Sequence, residues 1–360
     1  MKKIISLKRS EARRVWGSYA FITLCWLILQ SMVMTRTLSS AMRGMLVPIC
    51  AYAVMAVSLN LVVGILGELS LGHAGFMSVG AFTGVAAAII LQPYVTYAPL
   101  RLTIAMILAA AFAALAGFLI GIPVLRLKGD YLAIVTLAFG EIIKSLLNNA
   151  YFGIDSAGLH FSMLSNTTHL LKGGRMIING PMGIGGIRKI STFGAGYLLL
   201  LLSLIVVFNL CNSRWGRAFM AIRDDRIAAE SVGINITRFK MTAFVISAAL
   251  AGAAGALFAM NYSTIVANKF DFNTSILILV FVVLGGQGNM LGSIIAAAVL
   301  TILPEKLRSF RDYRMLIYAV TLIGIMLITN NATLKTFFER IRPFAGRKKA
   351  VRGAHSHAGN

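Results

Sequence analysis

The chain is a succession of apolar runs, each close to the length of a membrane span, with short polar stretches between them. A helix needs about 20 mostly apolar residues to cross a bilayer. In hydrocarbon every backbone N–H and C=O needs an internal partner, so such runs fold as helices. Runs at 16–34, 44–66, 76–91, 100–124, 131–147, 197–210, 242–260, 275–303 and 316–329 predict an all-α polytopic membrane protein with about eight to ten transmembrane helices. A soluble fold is excluded, because 13% charged residues against 58% hydrophobic leaves too little polar surface to coat 360 residues.

The net charge of +22 raises nucleic acid as a partner, but the basic residues gather at the ends of apolar runs and in the two tails. That placement reads as membrane topology and contact with anionic headgroups of the lipid bilayer. Lys2, Lys3, Lys8, Arg9, Arg13 and Arg14 precede the first run, so residues 1–15 are expected in the cytoplasm as a basic N-terminus. The run after them lacks a small-residue cleavage pattern and reads as a span, with Trp16, Tyr19 and Trp26 as interface aromatics. Residues 16–330 form the transmembrane part, and 331–360, with Arg340, Arg342, Arg347, Lys348, Lys349 and Arg352, a basic cytoplasmic tail. Cys25, Cys50 and Cys211 lie in or beside apolar runs without metal spacing and read as small hydrophobes.

Two glycine-rich stretches break the pattern. GELSLGHAG at 67–75 carries Glu68 and His73 among its glycines, and GGQGN at 285–289 interrupts the run at 275–303. Broken backbone at membrane depth survives only where it is buried in protein or lines a cavity, and transporters place such breaks at their substrate route. Asn60, Gly72 and His73 at the first break, with Gln287 and Asn289 at the second, are therefore the candidate translocation residues. His73 has a second reading, a hydrogen bond to a neighbouring backbone carbonyl. If GGQGN is the bend of a re-entrant pair, the basic tail returns to the cytoplasm as the charge rule demands; an extra turn within GELSLGHAG is the alternative. Glu141 and Lys144, three residues apart, are spaced to pair on one helix face. Ala249, Gly252, Ala253 and Ala256 offer a small-residue face for close helix packing.

The most charged passage between apolar runs is 212–240, NSRWGRAFMAIRDDRIAAESVGINITRFK, with Arg214, Arg217, Arg223, Arg226, Arg238 and Lys240. It is expected to lie in water on the cytoplasmic side. Asp224 or Asp225 can cap a short helix with Ile227, Ala228, Ser231 and Val232 on one face and Gly233 as its stop. Asn235 or Thr237 can cap the helix that follows. On the opposite side, 148–193 is rich in Gly, Asn, Ser and Thr, and a loop of that length must fold partly on itself.

No catalytic set, zinc spacing or phosphate-cradling GxxxxGK[ST] loop appears, which argues against an enzyme, a metal or another cofactor. Any energy that drives transport has to come from elsewhere.

Five segments carry a family resemblance: AVSLNLVVGILGELSLGHAGFMSVGAFTG at 56–84, LRLKGDYLAIVTLAFGEI at 125–142, NGPMGIGGI at 179–187, GRAFMAIRDDRIAAESVGINITRFK at 216–240, and VFVVLGGQGNMLGSIIAAAVLTILPE at 280–305. Together they resemble the permease subunits of branched-chain amino-acid ABC importers, a LivM-type group that also includes urea permeases. The resemblance implies a multi-pass protein of the bacterial inner membrane that forms the translocation pathway for leucine, isoleucine and valine. It implies as partners cytosolic ATP-binding subunits, a second homologous permease and a periplasmic substrate-binding protein. Loop 212–240 becomes the element seated in the ATPase, with Arg223, Asp224, Asp225, Ile227, Ala228, Ala229, Glu230 and Gly233 as its coupling residues. The importer pattern Glu-Ala-Ala, three residues, Gly is degenerate here, since Ile227 stands at the glutamate position. A urea or amide permease of the same family and an ion-coupled secondary transporter are the alternatives.

Overall fold

The computed structural model describes residues 2–127, 129–155, 158–163 and 175–307, with 316–317, 319–320 and 323–324 beyond them. Side chains of residues 2–16 are outside the description. So are Lys128, most of the expected span at 316–329, Arg308, Arg311, Arg314 and the whole basic tail. Two compact units are distinguished, Met1–Lys306 and Leu307–Asn360, and the first carries everything that follows.

Eleven α-helices are described in the first unit: α1 Lys2–Met34, α2 Ser40–Asn60, α3 His73–Ile90, α4 Ala98–Val124, α5 Asp130–Asn148, α6 Phe193–Asn212, α7 Arg214–Asp224, α8 Arg226–Ser231, α9 Ile236–Ala259, α10 Phe272–Gly285 and α11 Met290–Lys306. Among the described residues, seven helices are long and apolar enough to cross a membrane. The chain is thus the expected polytopic all-α protein. Both glycine-rich stretches are breaks: α2 loosens into a π-helical turn, Leu61–Leu66, before Gly67, and four residues separate α10 from α11.

The centre of the bundle is α9, held against α3 and α4. Small residues let these backbones nearly touch. A Cβ on Gly80 would sit 2.1 Å from the Gly252 carbonyl oxygen, and one on Gly255 2.0 Å from that of Met77. The expected small face is real at Gly252, Ala253 and Ala256, all buried, while Ala249 is half-buried and Ala248 takes the contact with Gly117.

α1 runs unbroken from the basic N-terminus into its span. It meets α6 through Tyr197, whose hydroxyl donates to Thr23 Oγ1 at 2.9 Å and whose ring stacks on Trp26 at 4.5 Å. Tyr19 likewise meets Phe208 edge-on. The expected interface aromatics Tyr19 and Trp26 therefore join helices, because α6 supplies aromatic partners that hydropathy alone does not reveal.

Loop 148–193 folds on itself as expected, in a form that its composition did not show. β1 Ala150–Asp155 lies between β2 Gly158–Met163 and β3 Arg175–Asn179 in an antiparallel sheet, with a bulge between Phe152 and Gly153. Ile184 bridges to Ile265 in the α9–α10 connection.

α10 and α11 pack on each other and both pack on α2. α11 starts beside Asn60 at the end of α2 and runs back along it. The chain reverses at residues 286–289, so GGQGN is the bend of a hairpin of two packed helices. Gly286 and Gly288 take φ of +91° and +79°, values that other side chains rarely adopt.

Candidate functional site

The polar loop builds itself from local chemistry. Ser213 caps α7, its hydroxyl accepting from Trp215 N at 3.1 Å. Asp225, of the two candidates, caps α8: its Oδ1 accepts from Ile227 N at 2.9 Å and Ala228 N at 3.1 Å. Gly233 ends the turn at φ +84°, and Asn235 caps α9 by accepting from Arg238 N at 3.0 Å. α8 presents Ile227, Ala228, Ser231 and Val232 to the outside, with Ile227 79% and Val232 76% exposed, while Ala229 is buried beneath them. Two β-branched apolar side chains are thus left exposed at a short helix framed by charges.

One expectation for this loop is corrected. Lys240 does not lie in water: it is 2% exposed. One turn into α9, its Nζ reaches into the bundle and pairs with Glu68 of the first break. A buried ammonium is tolerated only with such a partner. Glu68 in turn has its charge balanced by a residue 172 positions away.

A second contact joins the same two regions. Arg223, at the end of α7, donates from Nη1 to the Gly64 carbonyl oxygen in the π turn at 3.1 Å. Its Nε and Nη2 both reach Asp224 Oδ1, at 3.2 and 3.1 Å, which holds the guanidinium fork in place. The π turn leaves carbonyls without their usual intrahelical donors. Arg223 supplies one of those donors, and its stem lies against Gly67.

Beyond Glu68 the chain from Leu71 to Ala74 is stitched to four helices. Leu71 N donates to Thr136 Oγ1 of α5 at 3.0 Å, and Ala74 N to Ser275 Oγ of α10 at 3.2 Å. His73 starts α3 fully buried, with Nε2 at 2.9 Å from Ser58 Oγ and 3.2 Å from Ser247 Oγ. Its partners are hydroxyls on α2 and α9, so the expected bond to a neighbouring carbonyl is replaced by a tertiary contact. His73 Nδ1 and Ser70 Oγ are buried without a partner. Gly72 packs so closely on α5 that a Cβ would lie 2.3 Å from the Thr136 carbonyl oxygen.

Asn60 ties this break to the other one. Its Oδ1 accepts from Gly288 N at 2.8 Å and its Nδ2 donates to Ser293 Oγ at 2.8 Å. Fully buried, it clasps the GGQGN bend. Gln287 and Asn289 are exposed at the tip, Asn289 folding back to donate to the Gly285 carbonyl oxygen at 3.3 Å. The structure therefore gathers Asn60, Gly72 and His73 in the core and leaves Gln287 and Asn289 on the chain's surface.

The expected Glu141–Lys144 pair is present on α5. Glu141 also accepts from Phe272 N at the start of α10, at 3.1 Å. Beside it a shallow open cleft is lined by Leu71, Gly75, Gly140, Glu141, Asp271 and Ser275, among others. Sequence reasoning missed Lys240, Ser58, Ser247, Thr136 and Ser275. None of them stands out in the sequence: Lys240 follows Arg238 by two residues, and the others are small hydroxyl residues in or beside apolar runs.

Among the described residues no three His, Cys, Asp or Glu side chains gather as a metal site requires. What the arrangement offers is mechanical, a polar loop hydrogen-bonded to the first break, which Asn60 ties to the second.

The family described as branched-chain amino acid transport system / permease component matches residues 41–329. The chain is 39% identical over 291 residues to the high-affinity branched-chain amino acid transport system permease protein LivM of Salmonella typhimurium, and 40% identical over 291 residues to that of Escherichia coli. Each alignment takes in 77% of this chain and 66% of the relative, so the chain spans just under two thirds of their length. The probable branched-chain amino acid transport permease protein LivM of Methanocaldococcus jannaschii is 26% identical over 194 residues, 52% of either chain. No solved structure matches significantly. The π turn, both glycine breaks and the capped loop all lie inside the matched region, and the chain belongs to the branched-chain amino acid transport system permease component family.

Proposed function

We propose that this protein is the membrane-spanning permease subunit of an ABC importer for branched-chain amino acids in a bacterial inner membrane. It provides part of the translocation pathway and has no enzymatic chemistry of its own. Cytosolic ATP-binding subunits, a second homologous permease and a periplasmic binding protein complete the assembly. Support for the cargo comes from the two relatives near 40% identity, whose names specify branched-chain amino acids.

The observation that carries the proposal is the bond from Arg223 to the Gly64 carbonyl. The exposed face of α8, with Ile227, Ala228 and Val232, seats in the ATPase, and α7 transmits its movement to the π turn. From there Asn60 carries the displacement to the GGQGN bend, and Lys240–Glu68 carries it to α9. Packed helices and hydrogen-bonded breaks of this kind have discrete arrangements, so closure of the ATPases biases the pathway between its outward and inward forms. Asn60, Gly72 and His73 act as the inner framework of the route, and Gln287 and Asn289 form a lip beside the second permease. The orphaned His73 Nδ1 and Ser70 Oγ leave polar atoms available there.

The test is co-purification from the host membrane with leucine uptake measured in parallel. The native chain brings ATPase subunits with it, and uptake requires both ATP and the binding protein. Ile227→Asp with Ala228→Glu loses the ATPase while the permease pair stays intact. A native chain that purifies alone and still carries leucine along an ion gradient would overturn the proposal.

A further inference from the structure

The end of the bundle opposite the polar loop holds a charge that the transport reading does not use. Arg101 lies in the first turn of α4 and is only 6% exposed. Its Nε has no hydrogen-bond partner, and no described carboxylate lies within ion-pair distance of it. A guanidinium removed from water without a counter-charge is costly, so a site of this kind calls for an anion.

The surroundings define which anion. Arg101 lines a shallow, solvent-open cleft together with Ile89, Gln92, Arg188, Ile187 and Ile190, over a floor of Val85. Met260, just past the end of α9, closes it from the bundle side. The lining segments 85–101 and 187–190 contain no Asp or Glu, while Arg188 and Lys189 add two exposed cations. The cleft is therefore positive on one side and aliphatic on the other.

Its depth matches a lipid headgroup. α4 has 27 residues, which at about 1.5 Å per residue exceeds the hydrocarbon thickness, so its first turn falls at the boundary with the headgroups. Tyr94 and Tyr97, 82% and 69% exposed just before α4, mark the same level, where aromatic side chains concentrate. A phosphate diester at this level meets Arg101 and Arg188, and its glycerol and upper acyl carbons meet Ile89 and Ile190. A carboxylate on a docking protein would reach Arg188 and Lys189 from solvent, but would have to enter the aliphatic wall to reach Arg101.

We propose that Arg101 and Arg188 hold the phosphate of a phospholipid with a net negative headgroup, in the leaflet opposite the polar loop. The chain, purified with whatever subunits accompany it, is stripped of loosely held lipid in mild detergent and examined by native mass spectrometry. The native protein retains phosphatidylglycerol in preference to phosphatidylcholine. Arg101→Gln lowers the retained fraction about tenfold, as loss of one charge-assisted hydrogen-bonding partner does. Arg188→Gln lowers it less, and Arg101→Lys keeps most of it. Arg43→Gln, an exposed cation at the same end hydrogen-bonded to Leu38, changes nothing.

Should Arg101→Gln not fold, titration of the native protein with phosphatidylglycerol or phosphatidylcholine vesicles decides the matter alone. Equal binding of the two, or no retained lipid, overturns the proposal. So does displacement of the lipid by millimolar inorganic phosphate, which would make the site one for free anions. Loss of binding-protein docking in Arg101→Gln with lipid retention unchanged overturns it in favour of a protein partner.

Discussion

The two breaks have similar glycine-rich sequences and opposite surroundings. The first, from the π turn to His73, is held from every side: Arg223 and Lys240 from the polar loop and α9, Thr136 from α5, Ser275 from α10, Ser58 and Ser247 around the imidazole. The second, among the described residues, is hydrogen-bonded from another element only by Asn60, and its tip, Gln287 to Asn289, is exposed. The difference separates an anchored joint from a free lip. Groups buried around the first break fix stability, whereas groups at the tip of the second are free to act on whatever lies beyond the chain.

This contrast is sharpest at Lys240. Lys240→Met leaves the half-buried Glu68 without its cation and should lower stability by about 3 kcal/mol, read as a lower melting temperature in detergent. Adding Glu68→Gln should restore most of it; a double variant as unstable as the single one would break the ion-pair account. Next, Gly64→Ala places a Cβ 1.8 Å from Asn60 Oδ1 and 2.3 Å from Gly288 N. Such overpacking is expected to cost about 2 kcal/mol and to loosen the GGQGN bend in hydrogen exchange. Asp225→Ala removes the cap of α8 and should cost about 1 kcal/mol, with faster proteolysis confined to residues 225–233. The smallest effect belongs to the lip: Gln287→Ala should change stability by less than about 0.5 kcal/mol and still lower uptake. If it destabilises the protein as much as Gly64→Ala does, the distinction between joint and lip fails.

The sequence revealed features whose cause is local. Asp225, Gly233 and Asn235 act within three residues of themselves, so capping chemistry placed α8 and the start of α9. Gly252 and Ala256 announce close packing by their size, and Glu141–Lys144 by their spacing. The bonds that make the site are long-range instead. Lys240 pairs with Glu68 and Asn60 with Gly288, and nothing near Lys240 in the chain distinguishes it from Arg238, which is exposed two residues earlier. Hydropathy placed Lys240 in water because a lone lysine at the mouth of a span is usually solvated. The sheet at 150–179 escaped notice for a related reason. Its strands alternate too weakly among glycine and polar residues for period-two patterning to stand out.

The central claim is that Arg223 transmits the movement of the polar loop to the broken helices. It is tested in proteoliposomes containing the assembled importer, with leucine uptake and ATP hydrolysis measured on the same sample for the native chain and Arg223→Ala. The account predicts that the variant keeps its ATPase and hydrolyses ATP at a near-native rate, while uptake per ATP falls about tenfold, the cost of one hydrogen bond to a charged group. Unchanged uptake per ATP in Arg223→Ala would contradict it.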